Sequence, residues 1–238
     1  MFYNQRHMKV LGLMLILGLL ISAGNSSAAE EKGLVAHWPM DEGKGDVIKD
    51  VSDNGHNGMI KGAAWADGRF GKCLAFGGLD DWVDCGEVFT ESSVKTFTVS
   101  LWIKFNAWQN GVTVLFIGDD SAMGYAVFIG GGTSGGRSID CSFDHGETRG
   151  ETFYSDKGWH HIAAVYDGTY CRLYKDAEEV YNYEYTKPID FSGFKTSFGF
   201  GYRKELGRYL NGYLDEVCIY DRALSANEIA QLYKTDCK

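Results

Sequence analysis

The sequence contains little proline: two residues, Pro39 and Pro188, in a chain of 238. It also has few long stretches of Ala, Leu, Glu and Lys, the residues typical of helix bundles. Glycine, by contrast, occurs 31 times, and aromatic residues make up 14% of the chain. This composition excludes a collagen-like repeat and a disordered chain, and it favours one domain built from strands and turns.

Basic residues are too few to balance the acidic ones, and the formal net charge is −9 at pH 7. A chain of this sign is repelled by nucleic acid and by anionic lipid, so we expect neither as a partner. The same charge is compatible with Ca²⁺ and with a neutral ligand such as a glycan.

The apolar run near the N-terminus is too short to cross a bilayer. From Val10 to Ile21 it has 12 residues, which rise about 18 Å as a helix, against a hydrocarbon core of roughly 30 Å. A positively charged segment precedes it and Ser27-Ala28-Ala29 follows, so residues 1–29 predict a cleaved signal peptide; an uncleaved membrane anchor is the alternative.

The signal peptide holds two of the 23 basic residues and none of the 32 acidic ones, so the mature chain carries −11. We expect a secreted, periplasmic or cell-surface protein without membrane insertion after cleavage.

The six cysteines form no CxxC motif and no Cys/His cluster, which gives little support to a zinc site. In an exported chain they are compatible with disulfides. Between Cys73 and Cys85, two short apolar segments flank a Gly/Asp-rich turn centred on Leu79, and a hairpin of this kind places the two cysteines opposite each other. We therefore predict a Cys73–Cys85 disulfide. The cysteines at positions 141, 171, 218 and 237 allow three pairings or none.

Period-two alternation is the main structural signal of the mature chain. From Phe97 to Phe105, five apolar residues alternate with Thr, Ser, Trp and Lys, which predicts a strand with one core-facing side. Similar, shorter segments are separated by glycine-containing turns and lie at 34–40, 112–117, 125–130, 137–143, 159–166, 169–175, 178–183, 196–202 and 213–220.

One helix is predicted at Ala226–Tyr233, with Ser225 as its N-cap and Glu228 at the third helical position. Many short strands with a single terminal helix are typical of a sandwich of sheets. The predicted fold class is all-β: a two-sheet antiparallel jelly-roll sandwich with one short C-terminal helix. It forms a single domain over 30–238, with its core at about 33–234.

Seven segments, in this order, resemble the LamG-like jellyroll domains of the concanavalin A-like lectin/glucanase group. They are Gly33–Gly43 (GLVAHWPMDEG), Asp50–Gly58 (DVSDNGHNG), Gly71–Val83 (GKCLAFGGLDDWV), Phe97–Ile103 (FTVSLWI), Trp159–Gly168 (WHHIAAVYDG), Arg172–Asp176 (RLYKD) and Leu214–Ser225 (LDEVCIYDRALS). The likeness covers most of the mature chain. It departs from the family at Lys175 and Ala177, where the family usually has an apolar residue and a glycine, and in the additional cysteines.

A calcium site is the first candidate. Asp41 ends the first strand and Asp215 lies in the last, and the first and last strands of a sandwich commonly pair. The resemblance implies a structural Ca²⁺ held by Asp41, the carbonyl of Gly78 and Asp215, with Asp80 as a further ligand. Oxygen atoms of this kind suit Ca²⁺, which takes six to eight oxygen ligands. The alternative is that these acids accept hydrogen bonds from turn amides.

The sequence lacks the catalytic motifs of enzymes that share this fold. Neither a Glu-x-Asp-x-x-Glu strand motif nor a lyase-type Gln-x-His motif occurs. The acids Asp144, Glu147 and Glu151 flank glycines in a predicted solvated loop, and His160 and His161 are predicted to point to opposite faces of a strand. We therefore expect a protein that is not an enzyme; the alternative is a glycan hydrolase or lyase of the concanavalin A-like fold with a divergent site.

Aromatic and polar residues in or beside predicted loops are candidates for a ligand-binding surface, because sugar C–H faces pack on rings while hydroxyls form hydrogen bonds. The alternative is that these rings fill an edge of the sandwich. The sequence therefore predicts an exported, non-catalytic binding or adhesion module that recognises a glycan or an extracellular surface protein. The candidate residues are Trp82, Trp108, Tyr202, Arg203 and Tyr209.

Overall fold

The computed structural model describes residues 32–89, 95–107, 112–118, 125–131, 138–143, 149–152, 156–186, 191, 195–198 and 209–235. The predicted signal peptide at 1–29 lies outside these residues. Within them, no helix is both long enough and apolar enough to span a membrane.

Two eight-stranded antiparallel sheets form the fold, as predicted. Sheet A has the strand order β14-β13-β12-β7-β16-β5-β4, with β1 also paired to β16, and sheet B has the order β11-β10-β9-β8-β15-β6-β3-β2. The strands are β1 Leu34–Trp38, β2 Val47–Ile48, β3 Gly58–Lys61, β4 Ala64–Asp67, β5 Lys72–Gly77, β6 Trp82–Asp84, β7 Phe97–Phe105, β8 Thr113–Gly118, β9 Tyr125–Gly131, β10 Ser138–Phe143, β11 Arg149–Thr152, β12 His160–Tyr166, β13 Tyr170–Lys175, β14 Glu178–Glu184, β15 Lys195–Phe198 and β16 Asn211–Tyr220.

The core lies between the two sheets and is built by the alternation seen in the sequence. On β7 the five alternating apolar residues from Phe97 to Phe105 belong to one apolar cluster with Val83 of β6 and Leu115 of β8, both from sheet B. Each large apolar side chain buried in this way contributes roughly 1.5–3 kcal/mol. The predicted pairing of the first and last strands is confirmed, since β1 runs antiparallel to β16 with Trp38 opposite Val217.

The single helix among the described residues, α1 (Ala226–Leu232), begins as predicted. The Ser225 side chain accepts a hydrogen bond from the Glu228 amide, while the Glu228 carboxylate accepts one from the Ser225 amide. The helix buries Ile229 and Leu232 in a second apolar cluster that includes Tyr220 of β16. This cluster covers the face of sheet A that points away from the core.

The predicted Cys73–Cys85 disulfide is wrong, because both cysteines are free and buried. Strands β5 and β6 do not form a hairpin: β5 pairs with β4 and β16 in sheet A, whereas β6 pairs with β3 and β15 in sheet B. The glycine-rich turn between them therefore crosses from one sheet to the other. Cys171 is also free, Cys218 is disulfide-bonded, Cys141 lies on β10, and Cys237 lies outside the described residues.

Candidate functional site

Two of the predicted calcium ligands, Asp41 and Asp215, meet at the turn between β4 and β5. One carboxylate oxygen of Asp215 accepts hydrogen bonds from the amides of Arg69 (2.7 Å) and Phe70 (3.0 Å). A carboxylate oxygen of Asp41 accepts a hydrogen bond from the amide of Lys72 at 2.7 Å. Both acids therefore bind turn amides, which is the alternative that the sequence left open, and they do so at the same turn.

Asp215 is fully buried, and its second oxygen, Oδ1, has no hydrogen-bond partner among the described residues. Burial raises the pKa of this carboxyl group to about 7, and the neighbouring carboxylates of Glu216 and Asp41 act in the same direction. The two turn amides oppose the shift but do not cancel it. The result is a buried acid with one unused oxygen beside a second acid.

Gly78 and Asp80 do not join this pair, so the four predicted ligands do not form one site. The strand register explains the separation: Gly77 at the end of β5 lies opposite Asn211, whereas Asp215 is four residues further along β16. At about 3.3 Å per residue, the two ends are about 13 Å apart. Within the described part of the chain, no group of three or more His, Cys, Asp or Glu side chains is arranged to hold a metal.

Trp82, a predicted ligand-binding residue, lies on the outer face of sheet B. Its neighbour Val83 is fully buried in the core, so Trp82 and Asp84 on either side of it point away from the core. In the same way Met59 and Lys61 flank the buried Ile60 on β3. In the sheet, Met59 lies opposite Asp84 and Lys61 lies opposite Trp82.

The edge strand β2 extends this surface, because Val47 lies opposite Met59. Val47 is 36% exposed and Met59 is 44% exposed. Lys61 is exposed as well, and Trp82 and Asp84 are half-buried. We call these five residues the outer strip of sheet B: a solvent-facing band of apolar and aromatic side chains with one cation and one carboxylate.

Of the other predicted ligand-binding residues, the structure describes Tyr209, which does not extend the outer strip. Tyr209 is half-buried just before β16, which belongs to sheet A. Glu151, predicted in a loop, lies on strand β11 opposite Ile139. Residues outside the described part of the chain are Trp108, Tyr202, Arg203, Asp144 and Glu147.

The two adjacent histidines bind different partners. His161 Nε2 is 2.8 Å from the hydroxyl of Ser100, and burial lowers the pKa of this imidazole to about 4. His160 lies between the carboxylates of Asp176 (2.8 Å) and Asp156 (3.0 Å), and the hydrogen bond to Asp176 is the main cause of its raised pKa. They therefore form no joint metal site.

The outer face of sheet A beside α1 carries Trp102 and Trp159, which the sequence did not identify as candidate binding residues. Trp102 points outward and is covered by the Tyr233 ring, stacked at 5.5 Å, and by the Arg69 guanidinium, 4.8 Å from the ring centroid. Trp159 is half-buried, and its ring lies 6.1 Å from that of Tyr213. Its position directly before a strand gave no signal of which face it would occupy.

Residues 76–230 match a laminin G-type family model described as the concanavalin A-like lectin/glucanases superfamily. No curated protein matches the sequence. Among solved structures, domain 4 of AbnA, a GH43 extracellular arabinanase from Geobacillus stearothermophilus, in complex with arabinotriose, is 20% identical with a TM-score of 0.66. The match covers 84% of this chain and 98% of that domain.

Two further similar structures belong to longer proteins. The binding domain of Paraclostridial Mosquitocidal Protein 1 is 19% identical with a TM-score of 0.67, over 86% of this chain and 52% of that one. Trypanosoma rangeli sialidase in complex with sialic acid is 14% identical with a TM-score of 0.64, over 84% of this chain and 32% of that one. At these identities the likeness shows a shared fold, and the fold occurs in both binding domains and enzymes.

Proposed function

Because this chain belongs to the concanavalin A-like lectin/glucanase superfamily, we propose that it is an exported, non-catalytic binding module that recognises a neutral glycan through the outer strip of sheet B. Export rests on the signal peptide predicted at residues 1–29. A neutral ligand is favoured because the net charge of −9 repels polyanions.

The outer strip is the observation that carries this proposal. Apolar and aromatic side chains pack against the C–H faces of sugars, and Val47, Met59 and Trp82 offer such a band facing solvent. Sugar hydroxyls need donors and acceptors beside that band. The Lys61 ammonium group supplies donors and the Asp84 carboxylate supplies acceptors.

The same strip supports a binding role over a catalytic one. Strands β2, β3 and β6 contribute a single carboxylate to it, Asp84, whereas a retaining glycosidase uses two about 5–5.5 Å apart. Asp84 also accepts a hydrogen bond from the Gly86 amide at 3.0 Å, which fixes its orientation. The AbnA domain 4 structure supports the proposal as well, since nearly all of that domain is matched and it is in complex with a trisaccharide.

Replacing Trp82 by alanine is expected to weaken the binding of a neutral trisaccharide about tenfold or more, because stacking on the indole is lost. Isothermal titration with arabinotriose, xylotriose and cellotriose measures the change. Tyr170→Ala is the matched control: Tyr170 is an aromatic residue 40% exposed on sheet A, and its removal is expected to leave the affinity unchanged.

Two results would contradict this assignment. One is that the wild type binds none of the neutral oligosaccharides, or that the Trp82→Ala variant binds them as tightly as the wild type does. The other is release of reducing sugar from a glycan that disappears in the Glu151→Gln variant, which would identify a hydrolase.

The module is also proposed to hold a structural Ca²⁺ at Asp41 and Asp215. The unpartnered, buried Oδ1 of Asp215 and the nearby Asp41 carboxylate fit a cation, which takes oxygen ligands and offsets the cost of burying a charged carboxylate. Gly78 and Asp80 do not fit, since they lie at the other end of β5. A cation bound there adds stability to the folded state, in which the two acids meet.

Chelation of calcium is expected to lower the melting temperature by several degrees, because a ligand present at about a hundred times its dissociation constant contributes about 2.7 kcal/mol. Differential scanning calorimetry with CaCl₂ and with EDTA measures this shift. It is expected to disappear in Asp215→Asn, whose amide oxygen still accepts from the turn amides, and to persist in Asp80→Asn. Identical wild-type melting temperatures in the two conditions would remove calcium from the account.

A further inference from the structure

The outer face of sheet A carries a second group of aromatic and cationic side chains, distant from the outer strip. Tyr213 of β16 lies opposite Lys104 of β7, and the Lys104 ammonium nitrogen is 5.2 Å from the centroid of the Tyr213 ring. The Trp159 ring lies 6.1 Å from the Tyr213 ring. All three side chains are half-buried, so part of each faces solvent.

A second cation lies beside this row. Trp102 is two residues before Lys104 on the same face of β7, which places the two positions about 7 Å apart. The Arg69 guanidinium covers the Trp102 ring at 4.8 Å and is exposed to solvent. Two positive charges therefore lie next to two partly exposed rings on one continuous surface.

Neither cation is neutralised by a salt bridge within the described part of the chain. The structure gives Lys72, Arg172 and Arg222 an acidic partner each, but Lys104 and Arg69 form no ion pair with any residue that it describes. Neither cation therefore has a carboxylate partner among the described residues that a ligand would have to displace.

The backbone of Arg69 is held in place from below. Its amide and that of Phe70 donate to the buried Asp215 carboxylate, and the Phe70 ring packs edge-on against Trp102 at 5.9 Å. The turn that carries Arg69 is thus fixed to the sheet. The guanidinium over Trp102, two residues from Lys104 on β7, is therefore carried by a preorganised backbone, which lowers the entropic cost of binding an anion.

We propose that this surface, formed by Arg69, Lys104, Trp159 and Tyr213, binds a sugar residue that carries one carboxylate, such as a glucuronic acid branch on an otherwise neutral glycan. The rings pack on the C–H face of the sugar, and the carboxylate accepts hydrogen bonds from Lys104 and Arg69. A polyanion is disfavoured by the net charge of the chain, whereas a single carboxylate interacts mainly with charges within the Debye length, about 10 Å at 0.1 M salt.

The test compares two oligosaccharides that differ in one charged branch: xylotriose and glucuronoxylotriose, titrated calorimetrically into the full-length protein. We expect the charged oligosaccharide to bind about tenfold more tightly at low salt, and this advantage to disappear in 1 M NaCl. Lys104→Gln and Arg69→Gln are each expected to remove the advantage. Lys95→Gln, an exposed lysine just before β7 and at the opposite end of that strand from Lys104, is the matched control and is expected to retain it.

These outcomes separate the second site from the proposed function. Loss of neutral binding in Trp82→Ala together with an intact charged-branch advantage supports two independent sites. If neutral binding is absent in the wild type but glucuronoxylotriose binds through Lys104, only the function proposed for sheet B fails. Equal affinity for the two oligosaccharides, an advantage that survives Lys104→Gln, or equally tight binding of polyglutamate would overturn the second site.

Discussion

Replacing His37 by alanine is expected to lower the free energy of unfolding by about 2–3 kcal/mol, because one partner of a buried hydrogen-bonded pair is removed. His37 Nε2 lies 2.7 Å from a carboxylate oxygen of Glu216, and both side chains are 2% exposed. Without the imidazole, the Glu216 carboxylate stays buried but loses this contact. Glu216 lies in a bulge of β16 between Asp215 and Cys218, where its φ is 49°.

Urea unfolding followed by circular dichroism measures this loss. The control is the double variant His37→Gln with Glu216→Gln, which replaces the pair by two neutral amides able to bind each other, and which is expected to recover most of the stability. A His37→Ala protein within 1 kcal/mol of wild type, as for a surface substitution, would show that the pair does not stabilise the link between β1 and β16.

Replacing His161 by phenylalanine is expected to change how stability depends on pH. Burial lowers the pKa of His161 to about 4, whereas an imidazole in the unfolded chain titrates near 6.5. As the pH falls from about 6.5 to 4, the unfolded state takes up a proton that the folded state does not, so the wild type loses stability. The full difference amounts to about 3 kcal/mol. His161→Phe lacks this loss, and its stability relative to wild type is expected to rise by that amount on acidification.

The measurement is the free energy of unfolding of both proteins at several pH values between 4 and 7. A constant offset from the lost Ser100 hydrogen bond does not affect the slope. His160→Gln is the matched control and is expected to shift the slope the other way: the Asp176 carboxylate raises the pKa of His160, so its contribution is present at low pH and lost as the pH rises through the folded-state pKa. Parallel pH profiles for wild type and His161→Phe would contradict the burial of a neutral His161.

Those features of the fold that rest on local patterns are predictable from the sequence. Alternation from Phe97 to Phe105 identified the core-facing side of β7 because a strand repeats every two residues. The Ser225–Glu228 capping box identified the start of the helix because its two hydrogen bonds involve neighbouring residues. Both predictions are confirmed.

What fails are the inferences that need to know which strands are neighbours. The turn between Cys73 and Cys85 has the composition of a hairpin, but composition does not distinguish a hairpin from a crossing between sheets. Asp41 and Asp215 were brought together by the general rule that first and last strands pair. The structure places Gly78 apart from these two acids, because its position depends on the exact register of β5 against β16.

The sequence also could not show that the outward face of sheet A is covered by other residues. Thr98, Ser100 and Trp102 are at most 2% exposed although they alternate with the core residues of β7. They are covered by contacts distant in sequence: Leu224 just before the helix donates to Thr98, His161 binds Ser100, and Arg69 covers Trp102. Periodicity reports that two faces differ, but not that both are buried. For the same reason the sequence could not show that Trp159 is partly exposed on this face, beside the second proposed site.

Glycan recognition by the outer strip of sheet B is tested most directly by nuclear magnetic resonance titration of the ¹⁵N-labelled protein with arabinotriose, xylotriose and cellotriose. We expect at least one of the three oligosaccharides to cause saturable chemical-shift changes. These changes are expected to centre on the Trp82 indole and on the amides of Met59, Lys61 and Asp84, and the oligosaccharide is expected to be recovered intact. Shift changes that avoid this strip, no change with any of the three, or cleavage of the oligosaccharide in the sample would contradict it.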